Sequence, residues 1–243
     1  MTQLATVLRD NRLAKIGEIA ALFAIPTVVI MGAAPLAGDD PVRRQMVVWV
    51  ANLLMLGFVW FGLRARGESW QHFGLTWKLG SARAIRRAFL LSLAVLVAAL
   101  AGFVFGSIVG ANIVGIPESA DLSTYDYMRG NLPMLLIALA GIYVASSFGE
   151  EVIYRGFLIN RIAELGGSGK TAVRVAVVVS SLIFGLIHFD WGVMGIMQTT
   201  FMGLALGISY LLVKRNLWVL ILAHAYMDTV LMVQMYLGVG GEG

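Results

Sequence analysis

Seven long apolar stretches constrain this chain more than any other feature of its sequence. They lie at about residues 17–37, 46–63, 88–111, 132–153, 173–189, 193–213 and 217–237. A membrane-spanning helix needs about 17–25 mostly apolar residues, whereas a membrane-spanning strand shows about ten residues of alternating polarity. The alternating pattern is absent from the sequence. We therefore predict an all-α, polytopic membrane bundle of about seven transmembrane helices.

The composition supports this fold class and excludes several kinds of site. Charged residues make up 13% of the chain, about half the share in a soluble domain, and hydrophobic residues make up 59%. Cysteine is absent, so disulfides, thiolate metal sites and cysteine nucleophiles are excluded. The net charge of +4 comes from basic residues that punctuate apolar stretches and form no stripe, so we expect no nucleic-acid partner. We treat residues 1–243 as a single integral membrane domain.

The basic residues also predict an orientation in the membrane. Fifteen of the 18 Lys and Arg residues fall in alternate connections between spans, and only Arg43, Arg44 and Arg129 fall in the others. Because basic residues concentrate on the cytoplasmic side, we expect a cytoplasmic N-terminus and an external C-terminus. The first apolar stretch is longer than that of a signal peptide, which favours a retained anchor. We expect the protein in a bacterial inner (plasma) membrane.

One connection between spans allows two interpretations. Residues 67–87 mix Trp70, Phe73 and Trp77 with basic side chains. This composition suits an amphipathic segment on the membrane surface, but it also suits a solvated loop. The sequence does not distinguish between them.

Ionisable side chains within the spans are concentrated in the C-terminal half of the chain. Such groups are costly in lipid and usually face a cavity or one another. Only Glu18 stands out in the first three spans, near one end. The second half carries Glu150, Glu151, Arg155, His188, His224 and Asp228. We therefore predict one polar site built by the spans of the second half.

The spacing of these residues separates two neighbouring carboxylates. Glu151 and Arg155 are four residues apart, so on an α-helix they share a face and form a structural pair. Glu150 is turned about 100° away and stays free. The same spacing of four recurs in the pairs Phe184–His188 and His224–Asp228, with Phe184 expected to pack beside its histidine.

A free carboxylate beside imidazoles, shielded from bulk water, is suited to activating a water molecule for hydrolysis. The carboxylate acts as general base, and a second imidazole can donate to the oxyanion that develops on a carbonyl. This chemistry cleaves a peptide or ester without a covalent intermediate. Ser146 and Ser147 lie a turn before Glu150, but no His–Asp relay is attached to them in the sequence, so a serine mechanism is less well supported.

Three other functions are compatible with the same residues. Glu150, His188 and His224 also form a donor set for catalytic zinc, although the sequence has no HExxH motif. A non-catalytic membrane adaptor or immunity protein would use the bundle for binding alone. A transporter would use the carboxylates as a proton relay, but the chain shows no internal repeat.

Three short motifs resemble a known family. Residues 150–155 (EEVIYR), 184–188 (FGLIH) and 224–228 (HAYMD) resemble, in order, the EExxxR, FxxxH and HxxxN/D motifs of the CAAX protease and bacteriocin-processing family. These are intramembrane proteases of the Abi type, related to the CAAX prenyl protease 2, or Ras-converting, enzymes. The resemblance covers about residues 132–237, the motif-bearing core.

The resemblance implies a bundle that encloses a cavity and a glutamic intramembrane endopeptidase that needs no cofactor. It implies Glu150 as general base, His188 as its partner in water activation, and His224 with Asp228 as the oxyanion site. Glu151 and Arg155 would brace the fourth span. Eukaryotic members have Asn in place of Asp228, and an ionised Asp cannot donate a hydrogen bond.

The implied partners are the lipid bilayer and a membrane-associated peptide or protein substrate. Whether that substrate is prenylated stays open, and so does the oligomeric state.

Overall fold

The fold is seen in a computed structural model that describes residues 3–76, 80–116 and 123–238. Within these ranges the chain is helical and contains no β-strand. The N-terminal half forms α1 (Gln3–Asp10), α2 (Arg12–Ala37), α3 (Pro41–Arg66) and α4 (Ala82–Val114). Short 3₁₀ turns cover Trp70–Phe73 and Ser123–Met128. The predicted all-α class is confirmed.

The C-terminal half begins with one continuous helical stretch from Leu132 to Leu165. It consists of α5 (Leu132–Ile142), two π-helical segments (Tyr143–Phe148 and Glu151–Leu158) and α6 (Ile159–Leu165). The remaining helices are α7 (Lys170–Leu186), α8 (Gly192–Leu212) and α9 (Leu217–Leu237), with a 3₁₀ turn at Phe189–Trp191.

Local sequence signals explain where several of these helices begin. The side chain of Asn11 accepts hydrogen bonds from the Leu13 and Ala14 amides at the start of α2. Asp40 caps α3 in the same way, and Pro41 follows it at the first helical position. These residue types satisfy amides that have no partner within the helix.

Six helical stretches of the described chain are long and apolar enough to cross a membrane. The prediction of about seven spans is close. The span expected at 173–189 corresponds to α7, whose 17 residues make it shorter than the other six. At 1.5 Å per residue α7 covers about 26 Å, slightly less than the hydrocarbon core. The span expected at 132–153 extends to Leu165.

Glycine allows α4 and α8 to pack closely. A Cβ atom added to Gly106 of α4 would lie 2.5 Å from the carbonyl oxygen of Met197 and 2.7 Å from Cα of Gln198. Gly102 makes a similar contact, with the carbonyl oxygen of Phe201 2.6 Å from its added Cβ. Small residues at such positions let helix backbones approach in a membrane. This contact fixes α8 beside the N-terminal half of the chain.

The connection before α4 is partly built into the bundle. Phe73 and Leu75 are fully buried, whereas His72 and Thr76 are exposed. The Phe73 carbonyl accepts a hydrogen bond from the Tyr210 hydroxyl at 3.0 Å, and the Thr76 carbonyl accepts one from the Trp218 indole at 2.9 Å. One face of this segment therefore packs against the bundle. Trp77 lies outside the described residues.

A buried group of six charges joins the first two long helices to α6, and the sequence did not predict it. Arg66 and Arg161 are fully buried, and Glu18 pairs with Arg66. Arg161 pairs with Glu68 and Glu164 at 2.6 Å each. The six-charge cluster consists of Lys15, Glu18, Arg66, Glu68, Arg161 and Glu164. Its three positive and three negative charges balance, which makes burial tolerable.

Candidate active site

The first motif lies in a helix whose turns are wider than those of an α-helix. Glu150 falls between the two π-helical segments, and Glu151 begins the second. π-helical turns are rare and frequently occur at functional sites. The sequence predicts an ordinary α-helix here, because no sequence pattern indicates π-helical turns. The wider turns change the directions in which Ser147, Glu150 and Glu151 project.

Glu151 connects this helix to α9. Its side chain is fully buried, and its Oε1 atom accepts a hydrogen bond from Nη1 of Arg155 at 2.8 Å. The same oxygen lies 2.8 Å from Nδ1 of His224. Because this oxygen already accepts from Arg155 and a carboxylate only accepts, Nδ1 of His224 is the donor. Glu151 thus forms the expected pair with Arg155 and in addition orients His224.

The other nitrogen of His224 faces two further carboxylates. Its Nε2 atom lies 4.0 Å from Oε2 of Glu150 and 3.8 Å from Oδ1 of Asp228. These distances exceed a direct hydrogen bond, so the three groups are close without being bonded to one another. Three of the predicted catalytic residues, Glu150, His224 and Asp228, therefore lie together.

The carboxylate of Glu150 is more exposed and less restrained by hydrogen bonds than that of Glu151. About 12% of its side chain is exposed, and no hydrogen bond from the described residues holds its carboxylate. The Glu151 side chain has no exposure and is held by Arg155 and His224. The two adjacent carboxylates thus have different environments, one restrained and one available.

Asp228 is held by a residue outside the predicted site. The hydroxyl of Ser147 is fully buried and donates to Oδ2 of Asp228 at 2.6 Å. From the sequence, Ser147 was considered only as a nucleophile. Ser147 lies eight residues before Arg155 and on a different helix from Asp228. This spacing provides no pattern by which the contact could be recognised.

His188 lies apart from the other predicted catalytic residues. It follows the end of α7, and its Nδ1 atom lies 2.7 Å from the Phe184 carbonyl oxygen. A carbonyl only accepts, so Nδ1 donates and Nε2 is left with its lone pair when the ring is neutral. In the described part of the chain no hydrogen bond or ion pair joins His188 to Glu150, His224 or Asp228.

Phe184 provides the contact between His188 and the rest of the site. Its ring centre is 4.9 Å from that of His188 and 4.5 Å from the guanidinium carbon of Arg155. Tyr154 packs against the other edge of the ring at 5.0 Å. Phe184 is almost fully buried, as expected for a packing residue. The site is therefore continuous from His188 through Phe184 and Arg155 to Glu151.

The suggested zinc ligands do not form a compact donor set. Over the residues that the structure describes, no three His, Cys, Asp or Glu side chains are arranged to hold a metal ion. Glu150 and His224 approach each other, whereas His188 is held by the Phe184 carbonyl. Zinc at Glu150, His188 and His224 would thus need His188 to move.

A comparison with known families identifies a relationship for the part of the chain that carries these residues. Residues 132–230 match the family model of the type II CAAX prenyl endopeptidases, Rce1-like. No curated protein and no solved structure matches the chain. The matched range contains all three motifs and every residue of the site described above. The site-bearing part of this integral membrane protein, residues 132–230, is therefore similar to the Rce1-like family of CAAX prenyl endopeptidases, as its motifs predicted.

Proposed function

We propose that this protein is a glutamic intramembrane endopeptidase that cleaves a membrane-associated peptide or protein. One observation carries the proposal: Glu150 is an unrestrained carboxylate, 4.0 Å from Nε2 of a histidine that a second carboxylate holds in place. A general base must be free to take a proton, and its neighbours must be fixed. Glu150 and His224 meet these two requirements.

In the proposed reaction, Glu150 removes a proton from a water molecule as the water oxygen attacks the carbonyl carbon of the scissile peptide. The carbonyl oxygen becomes an oxyanion, and His224 faces it with Nε2. The C–N bond then breaks, and Glu150 returns the proton to the leaving amine. The products are a new carboxyl terminus and a new amino terminus, and no covalent enzyme intermediate forms.

His188 has a supporting role in this scheme. Its Nδ1 is fixed by the Phe184 carbonyl, so Nε2 can accept a hydrogen bond from the attacking water. Contact through Phe184 and Arg155 links its position to that of the glutamates. We propose that substrate binding brings His188 Nε2 within reach of the water. Catalytic hydrogen bonds are often long before substrate binds.

We infer the substrate class from the family and from the helices that carry the site. The matching family is named for CAAX prenyl endopeptidases, which supports a prenylated CAAX peptide as substrate. Glu150 and Asp228 lie in helical stretches long and apolar enough to cross a membrane, which supports a substrate that reaches the site from the membrane. A farnesylated peptide that ends in a CAAX sequence is therefore the first probe, with the unprenylated peptide beside it.

The test is cleavage of an internally quenched form of each peptide by purified protein in liposomes. Glu150→Gln should lower turnover at least about 10²-fold, the usual contribution of a general base. Asp126→Asn, which neutralises an exposed carboxylate, is the matched control and should keep full turnover. Folding of both variants is checked by their unfolding midpoints. Turnover near the wild-type rate in Glu150→Gln would reject Glu150 as the base.

We also propose that the N-terminus is cytoplasmic, because most of the basic residues lie on its side of the membrane. The chain has no cysteine, so a single introduced cysteine is a clean reporter. A cysteine at exposed Arg12 should react with an impermeant thiol reagent only after the membrane is opened, and one at exposed Arg43 should react in intact cells. The reverse pattern would overturn the orientation.

A further inference from the structure

A buried hydrogen bond between Ser147 and Asp228 is not explained by the roles assigned so far. Ser147 belongs to the first π-helical segment and Asp228 to α9, so the contact joins two helices. The hydroxyl is fully buried, the carboxyl nearly so, and the oxygen atoms are 2.6 Å apart. The bond occupies Oδ2 and leaves Oδ1 to face Nε2 of His224 at 3.8 Å.

The direction of this hydrogen bond follows from chemistry. An ionised carboxylate has no hydrogen to give, so Ser147 donates and Asp228 accepts. For the same reason an ionised Asp228 cannot stabilise an oxyanion directly. What it can do is place a negative charge 3.8 Å from Nε2 of His224 and so favour one orientation of that ring electrostatically. A carboxyl group turns in a broad, two-fold torsional well, so its orientation depends on its partners.

His224 therefore has a carboxylate on each side. Glu151 binds Nδ1 at 2.8 Å, and Asp228 faces Nε2 at 3.8 Å. Ser147 binds Oδ2 of Asp228, and the neighbouring Ser146 hydroxyl also interacts with this carboxyl group. We propose that Ser147 is a positioning residue, which aims the Asp228 carboxylate at Nε2 of His224 and so keeps this imidazole in its catalytic orientation. This inference rests on the proposed peptidase function, since it assigns a task to His224 within that reaction.

Removing the hydroxyl should affect turnover more than substrate binding. Ser147→Ala should lower kcat for the farnesylated peptide about 10²-fold, the usual effect of a small misplacement, with KM unchanged. Ser181→Ala is the matched control, because that buried hydroxyl donates only to the Val177 carbonyl of its own helix at 2.7 Å. Ser147→Thr, which keeps a hydroxyl, should recover most of the lost kcat.

A double variant tests whether Ser147 acts through Asp228. In an Asp228→Ala background, Ser147→Ala should cause no further loss of kcat, since the carboxylate that it aims is gone. Two losses that multiply would show that Ser147 acts independently, and would overturn the proposal. An equal loss in Ser181→Ala would show a general effect of removing a buried hydroxyl, and would also overturn it.

A second measurement does not depend on activity. The chain has three histidines, so ¹⁵N-histidine labelling gives few ring-nitrogen NMR signals. The two signals of the His224 ring are identified because they disappear in His224→Gln. Ser147→Ala should shift the His224 ring signals, and Ser181→Ala should leave them unchanged. Unshifted signals in Ser147→Ala would refute the positioning role even if neither peptide is cleaved. Full turnover in Glu150→Gln would instead reject the proposed function and leave this spectroscopic test standing.

Discussion

Glu151 and His224 are joined across two helices, with Oε1 of the carboxylate 2.8 Å from Nδ1 of the imidazole. The same oxygen accepts from Arg155, so one atom joins the three side chains. The second oxygen of Glu151 is buried and has no hydrogen-bond partner among the described residues. Glu151 is thus both the counter-ion of Arg155 and the anchor of His224.

We expect loss of the Glu151 charge to destabilise the protein. Glu151→Ala leaves Arg155 buried without a counter-ion, which should lower the free energy of unfolding by about 3–5 kcal/mol. Glu151→Ala with Arg155→Met should be more stable than Glu151→Ala alone, because no uncompensated charge remains. Denaturant unfolding in detergent micelles measures both. A double variant less stable than Glu151→Ala would contradict the pairing.

The ring of Phe184 should matter for catalysis beyond its volume. Phe184→Leu keeps an apolar side chain but loses the ring between Arg155 and His188, so kcat should fall several-fold. Phe157→Leu is the comparison, since this buried ring lies by Arg161, 5.5 Å from its guanidinium carbon. Each ring contact with a desolvated cation is worth up to about 2 kcal/mol, so both variants should lose similar stability. Equal losses of kcat would show that Phe184 acts through stability alone.

The reaction should not require a metal. We expect turnover of the peptide probes to survive dialysis against strong chelators, because the proposed base is Glu150 and because the Phe184 carbonyl holds His188, the third suggested zinc ligand. Elemental analysis of the purified protein accompanies the assay. Loss of turnover on chelation, with recovery on adding zinc, would establish the zinc-dependent alternative.

How much of this site the sequence predicts depends on how far apart in the chain the contacting residues lie. The cost of ionisable groups in lipid identified Glu150, His224 and Asp228, and a spacing of four residues within one helix paired Glu151 with Arg155. The bond from Glu151 to His224 links different helices, whose rotation about their axes is set by packing. The π-helical turns around Glu150 carry no sequence pattern.

The same limit explains why the sequence did not predict the six-charge cluster. Glu18 was noticed only as an ionisable residue near the end of a span. Its partner Arg66 is 48 residues away, and Arg161 is further along the chain. Arg66 and Arg161 had been counted as basic residues of connections, where exposure is the usual state. Burial of both depends on α2, α3 and α6 meeting at one end of the bundle.

Removing one charge from the six-charge cluster should strongly destabilise the protein, because it leaves opposite charges buried without a partner. Arg161→Met removes the partner of Glu68 and Glu164, and should lower the free energy of unfolding by about 3–5 kcal/mol. Arg64→Met is the matched control, because this arginine is exposed and its guanidinium lies over the Trp60 ring, a contact worth about 1 kcal/mol at most at an exposed site. Equal effects in the two variants would show that the cluster adds no net stability.

Replacing glycine by alanine should change the free energy of unfolding in opposite directions at two glycines of the described helices. Gly106→Ala places a methyl group against the backbone of Met197 and Gln198, which cannot move aside without separating α4 from α8. The overpacking should cost about 1–3 kcal/mol. Gly57→Ala of α3 has no atom within 4 Å of its new methyl group, so it should gain about 0.5–1 kcal/mol from reduced backbone freedom. Unfolding midpoints in one detergent compare the two, and a stabilised Gly106→Ala would contradict the close contact of α4 with α8.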